Sequence, residues 1–279
     1  MVRTLSTFAL VVLLPVSSLA VATAAEPKEA GSKTNNLPKE LTFDIGKGVK
    51  LEMVLIPAGE FLMGSPDSDK DAGDEEKPQH RVRITKPFYL GKYLVTQEQW
   101  QTVMGSNPSH FTDPKNPVEE VSWDDCRLFL DKLDAKIGSQ HEKFSLPTEA
   151  QWEYACRAGS GRRYYFGDDE ADLGDYGWCL ANADNKPRPV GQKKPNACGL
   201  YDMHGNVGEW CQDWYGGGYY AASKMDDPNG PATGTNRVNR GGGWDRPARY
   251  SRAAYRSYYS PGFRLDFVGA RVCLALTGE

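Results

Sequence analysis

The stretch LPTEAQWEYACRAG, Leu146–Gly159, is the last place in this chain where apolar residues recur at helical spacing. Pro147 precedes Thr148, whose hydroxyl can cap a helix start. Glu149 and Glu153 favour the early turns, Trp152, Ala155 and Cys156 form an apolar face, and Gly159 closes the element. Beyond Gly161 the helical period disappears, and Gly, Pro, Asn, Asp, Trp and Tyr separate short apolar fragments as far as the C-terminus. An irregular region this long inside a compact domain needs something other than a strand ladder to order it: bound metal, disulfides or aromatic packing.

Working upstream, Ser122 with Asp125 three residues on opens a helix through WDDCRLFLDKLDAKIG, and Thr96 opens another through QEQWQTVM with Gly105 as its C-terminal cap. Further upstream, LEMVLIPAGEFLMG alternates and ends on Pro and Gly as a strand pair does, and HRVRITKPFYLGKYLV repeats that pattern. Three helices and a few strands in 279 residues predict an α+β chain that is mostly irregular, with no internal repeat.

The N-terminal residues MVRTLSTFALVVLLPVSSLAVATA carry Arg3, an apolar centre Phe8–Leu14 and the small-residue pattern Ala22-Thr23-Ala24. They are read as a signal peptide, residues 1–24, which implies export to the periplasm or beyond and no membrane insertion after its removal. The apolar centre is too short to span ~30 Å of hydrocarbon. Residues 25–40, rich in Pro, Lys, Glu and Asn, form a flexible link to a single domain at 41–279. The net charge of −4 gives no electrostatic case for nucleic acid.

Export permits disulfides among Cys126, Cys156, Cys179, Cys198, Cys211 and Cys273, with isolated buried thiols as the alternative. No CxxC pair occurs and the four histidines lack close spacing, so zinc is not expected. A GxSxG elbow and a GxxxxGK[ST] phosphate loop are also missing.

Seven pieces in order carry a family resemblance: MVLIPAGEFLMGS, PFYLGKYLVTQEQW, NPVEEVSWDDC, LPTEAQWEYACRAG, PNACGLYDMHGNVGEW, RVNRGGGW and VGARVCLAL. From about Met53 to Leu276 the chain resembles the formylglycine-generating enzyme family, the sulfatase-modifying factor domains. The resemblance implies a single loop-rich fold of the duplicated C-type-lectin-like kind, with bound calcium. Its calcium ligands would fall on Asp202, Gly205, Val207 and Glu209, an oxygen set around a Gly-containing turn that suits Ca²⁺; a second site would fall near Asn182.

The family's chemistry is the oxygen-dependent oxidation of a sulfatase cysteine to formylglycine, with copper held by two cysteines. The resemblance places Arg246 and Ser251 at those positions, Gly243 where a serine is expected and Gly208 where a tryptophan is. A guanidinium and a neutral hydroxyl cannot replace thiolates on the soft Cu(I) ion, so copper is not expected. Trp244, Arg246, Arg249, Tyr250 and Ser251 are read as a cleft for a peptide, a protein or an anionic or carbohydrate ligand, whereas Arg252 and Arg256 are read as structural. Two functions stay open: a calcium-stabilised binding or partner module, or an oxidoreductase acting in the same cleft on a sulfatase cysteine or another extracytoplasmic substrate.

Overall fold

All three helices form, each closed at its N-terminus by a reciprocal cap. A computed structural model describes Met1, residues 37–138 and residues 143–276 of the chain, so the leader and most of the link lie outside the described residues. Strands β1 (Glu40–Asp44), β2 (Lys50–Ile56), β3 (Gly59–Met63), β4 (His80–Ile84) and β5 (Phe88–Gly91) precede helices α1 (Gln97–Met104) and α2 (Trp123–Ile137). Strand β6 (Phe144–Ser145) and helix α3 (Glu149–Arg157) follow, and then β7 (Gly208–Trp214), β8 (Arg237–Arg240), β9 (Ser257–Tyr259), β10 (Val268–Gly269) and β11 (Cys273–Ala275).

In α1 the Gln99 N–H donates to the Thr96 hydroxyl while the Gln99 side chain accepts from the Thr96 N–H; Ser122 with Asp125 and Thr148 with Gln151 repeat this arrangement in α2 and α3. Gly105 takes the left-handed cap conformation as expected, and Gly138 does the same at the end of α2. In α3 the C-cap falls one residue earlier than expected, on Ala158 at φ 47°.

The strands assemble into a five-stranded sheet ordered β1-β2-β5-β11-β6, a four-stranded sheet ordered β10-β7-β8-β9, and the β3-β4 ribbon. The stretch LEMVLIPAGEFLMG yields two strands that do not pair with each other: β2 joins β1 and β5, whereas β3 joins β4. Pro57 stands between them, lacking the N–H a tight ladder would use, and the chain turns there from one sheet to the next. Helices α1 and α2 pack Trp100 flat on Phe129, centroids 4.9 Å apart, in a core with Leu133, Met53, Tyr89 and Trp210. Helix α3 carries Trp152, Ala155 and Cys156 into a second core with Val82, Ile84, Cys211 and Val238.

Of the three ordering devices proposed for the region after Gly161, aromatic packing is present. Phe166 stacks on Tyr176 at 4.2 Å, and Tyr164, Tyr165 and His204 complete the cluster. The disulfide expectation is not met: all six cysteines are free, five of them buried, and they fill space as small apolar groups. Removing the α3 cap by Thr148→Ala is expected to lower unfolding free energy by about 1 kcal/mol, measured as a shift in urea midpoint at unchanged m-value.

Candidate functional site

The site is built on a set of buried ion pairs that the helix pattern conceals. Glu149 and Glu153, one turn apart on α3, are 2% and 0% exposed. Arg240 at the end of β8 reaches both carboxylates and donates to the carbonyls of Ala253 (2.7 Å) and Ala254 (3.1 Å). Arg256 clasps Glu149 with two bonds of 2.7 and 2.8 Å, and Arg157 holds Glu153 at 2.9 Å. Burial pushes the Glu149 carboxyl up, but the guanidinium groups of Arg256 and Arg240 outweigh it and hold its pKa below the usual value. Arg252 makes the same two-point clasp on Glu76, both bonds 2.7 Å, and donates to the Asp71 carbonyl at 2.9 Å.

These arginines pin the segment from Arg240 to Arg256, which carries the residues predicted to form the cleft. Gly241 and Gly242 adopt φ 96° and 76°. A Cβ on Gly242 would sit 2.3 Å from the Ser251 hydroxyl, so this close approach requires glycine. Ser251 itself is fully buried and its hydroxyl has no hydrogen-bond partner among the described residues. It therefore does not line a cleft, contrary to the sequence expectation; the Arg252 clasp turns it inward.

The other four residues lie on the outside of the segment. Arg246 and Arg249 are exposed, and Trp244 and Tyr250 are half-buried. Trp244 donates its indole N–H to the Asp266 carbonyl at 3.0 Å and meets Phe111 edge-on. Arg246 pairs with Asp245 at 3.0 Å and lies over Phe267. Arg249 covers Tyr250, which meets Tyr255 edge-on. Arg252 and Arg256 are structural, as read from the sequence.

Under this segment lies His204, fully buried. The Tyr165 N–H donates to its Nε2 at 3.1 Å, so Nδ1 carries the proton and donates to the Ser251 carbonyl at 2.7 Å. Burial lowers its pKa to about 3, which keeps the ring neutral. Cys156 lies 3.8 Å from both ring nitrogens, but burial raises its thiol pKa and leaves no thiolate for chemistry.

Of the four residues matched to calcium ligands, Asp202, Gly205 and Val207 lie in the irregular segment before β7 and Glu209 lies in β7 itself. Asp202 and Asn206 adopt left-handed backbones, and a Cβ on Gly205 would sit 2.1 Å from the Trp178 carbonyl oxygen. Asp202 Oδ2 accepts from the Gly191 N–H at 2.8 Å, whereas Oδ1 has only a long 3.5 Å contact with Asn206. Burial raises the Asp202 pKa to about 6. Glu209 is more heavily engaged: Arg271 clasps it at 2.8 and 2.9 Å and Trp152 donates to it at 2.8 Å, which leaves one of its roughly four acceptor directions. Asp202 Oδ1 and one acceptor direction of Glu209 are thus left largely uncommitted, and hard oxygen donors of this kind suit a hard cation. Among the described residues no three His, Cys, Asp or Glu side chains form a metal cage, so such an ion would depend on carbonyl oxygens. Asn182 spends both ends of its amide on its own turn, accepting from Cys179 and donating to Gly177.

Sequence reasoning missed Glu76, Glu149, Glu153 and Arg157 as site-forming groups. The available signal was the i, i+4 spacing of Glu149 and Glu153 beside Trp152 on the apolar face. A cavity of about 570 Å³ lies behind the clasps, lined by Ser65, Asp69, Arg157, Arg163 and Arg252 among others.

With this geometry in place, comparison with known proteins is direct. The sulfatase-modifying factor enzyme 1-like domain matches residues 44–276, and the chain belongs to that family. It is 30% identical over 285 residues to a formylglycine-generating enzyme of Streptomyces coelicolor, covering 78% of this chain and 87% of that one. It is 31% identical to the chaperone protein LppX of Paenibacillus barcinonensis, covering 73% and 82% of the two chains. Among solved structures, Treponema denticola variable protein 1 superposes with a TM-score of 0.78 at 32% identity, covering 85% of this chain and 99% of its own. These likenesses establish the loop-rich fold of the formylglycine-generating enzymes, consistent with its C-type-lectin-like character.

One buried acid gives a pH test of the network. Asp213 accepts the Glu149 N–H at 2.8 Å, and burial, reinforced by the Glu149 charge, raises its pKa from 3.8 to about 8. A folded-state pKa above the unfolded one means that the native protein binds the extra proton, so this contribution falls as pH rises from about 4 to about 8. Asp213→Asn keeps an acceptor and removes the titration; its melting temperature relative to the parent is expected to climb steadily across that window, measured by scanning calorimetry at pH 4.5 to 8.5.

Proposed function

We propose that this protein is an exported, calcium-stabilised binding or partner module built on the formylglycine-generating-enzyme scaffold, without its copper chemistry. The observation that carries the reading is the separation of positions 246 and 251: Arg246 is exposed and paired with Asp245, while Ser251 is buried beneath Gly242. Neither supplies a soft ligand. The thiols of Cys126, Cys156, Cys211 and Cys273 are buried with pKa values raised by desolvation, so none is poised as a thiolate.

The face of Trp244, Arg246, Arg249 and Tyr250 is the ligand surface in this reading. Its Arg246–Asp245 pair balances the charge, which suits a peptide or protein segment better than a bare anion. Similarity to a protein named a chaperone supports the partner role. Export rests on the leader at residues 1–24.

Loaded with Cu(I) in air and given a sulfatase-type Cys-x-Pro-x-Arg peptide, the protein is expected to leave the peptide mass unchanged while an active formylglycine-generating enzyme converts it. Conversion of the cysteine by this protein would overturn the reading.

Calcium is tested separately by melting. Ion at about 100 times its dissociation constant stabilises a fold by about 2.7 kcal/mol, so a chelator is expected to lower the melting temperature by several degrees. Asp202→Asn should abolish the difference. Identical melting curves with and without chelator would leave Arg271 as the sole counterion of Glu209 and remove calcium from the account.

A further inference from the structure

A second cavity, of about 550 Å³, opens at the far end of the β7–β8 pair and shares no residue with the 244–250 face. Its wall includes Gln212, Trp214, Tyr219, Lys224, Asn229 and Arg237, and no Asp or Glu. The buried arginines of the network each hold a carboxylate; Arg237 has none within ion-pairing distance among the described residues. It is clamped instead between two indoles, its guanidinium carbon 3.8 Å from the ring centre of Trp123 and 3.4 Å from that of Trp214. One amino group donates to the Gln212 carbonyl at 2.7 Å, and its buried Nε–H has no partner among the described residues.

The clamp matters because it removes the rotamer freedom that an arginine normally loses on binding. A planar donor edge held in place, with a second cation at Lys224 that has no ion pair among the described residues, suits an oxyanion. Trp214 and Tyr219 add aromatic surface, and the amides of Gln212 and Asn229 can meet hydroxyl groups.

We propose that this cavity binds a saccharide residue carrying a carboxylate or sulfate, with Arg237 and Lys224 on the oxyanion and the aromatic wall against the ring. The bilateral indole clamp and the acid-free wall carry the assignment, independently of the function proposed for the other face.

The test uses the full mature protein with D-glucuronate, glucose 6-sulfate, glucose and inorganic sulfate as probes, followed by tryptophan fluorescence and by NMR titration. The two anionic sugars are expected to bind at least about tenfold more tightly than glucose or inorganic sulfate, the scale of one charge-assisted hydrogen bond. Arg237→Lys keeps the charge and loses the flat donor edge, and should weaken binding about tenfold. Lys224→Gln, at an exposed position, should weaken it several-fold at unchanged melting temperature, so the result stands even if the Arg237 variant fails to fold. Glucose binding as well as glucuronate, sulfate binding as well as glucose 6-sulfate, no binding at about 50 mM probe, or an unaltered affinity in Lys224→Gln would each overturn the proposal.

Discussion

The clasp of Arg240 on Glu149 and Glu153 is the interaction on which the rest of the structure hangs. A fold with short strands and three helices cannot hold its long connections by ladders, and buried backbone carbonyls need donors. Arginine supplies up to five donors in one rigid plane, enough to pair with a carboxylate and still serve loop carbonyls. Arg240 does this for Ala253 and Ala254, Arg157 for Gly64 and Arg162, and Arg271 for Gly91 and Tyr201. Such pairs are not cheap sources of stability, since taking charges from water offsets much of their attraction. Their value here is geometric: with one partner lost, the other is left charged in the interior at a cost of about 3–5 kcal/mol, so alternative arrangements of the loops are disfavoured.

That scaffold fixes the path of the segment from Arg240 to Arg256 independently of the side chains at 246 and 249. Its course is fixed by Arg240, Arg252 and Arg256 and by the glycine at 242, whereas positions 246 and 249 only face outward. The resemblance to the enzyme family is therefore a resemblance of framework, and the chemistry at 246 and 251 is a separate matter.

Local signals in the sequence were legible where a single residue decides a local geometry. Thr96, Ser122 and Thr148 mark helix starts because a hydroxyl next to an apolar period has one obvious use, and the structure places all three as caps. The α3 end fell on Ala158, whose left-handed turn immediately precedes that of Gly159 and has no glycine signature of its own. Ser251 was misplaced because its orientation depends on a clasp between Arg252 and Glu76, 176 positions apart in sequence. Glu149 and Glu153 read as ordinary early-turn acids for the same reason: their spacing beside Trp152 hints at burial, but their partners Arg240 and Arg256 lie 87 to 107 positions away. Family order recovered the topology that periodicity could not.

The position of β11 has a consequence for how the molecule is made. Residues 273–275 lie inside the first sheet, between β5 and β6, and Arg252 and Arg256 reach back to the carboxylate and carbonyl groups near residues 75 and 76. A chain emerging N-terminus first thus lacks an interior strand of this sheet until residues 273–275 are available. The central pairing of that sheet is thus a long-range contact, and the facing edges of β5 and β6 stay unpaired until β11 docks between them.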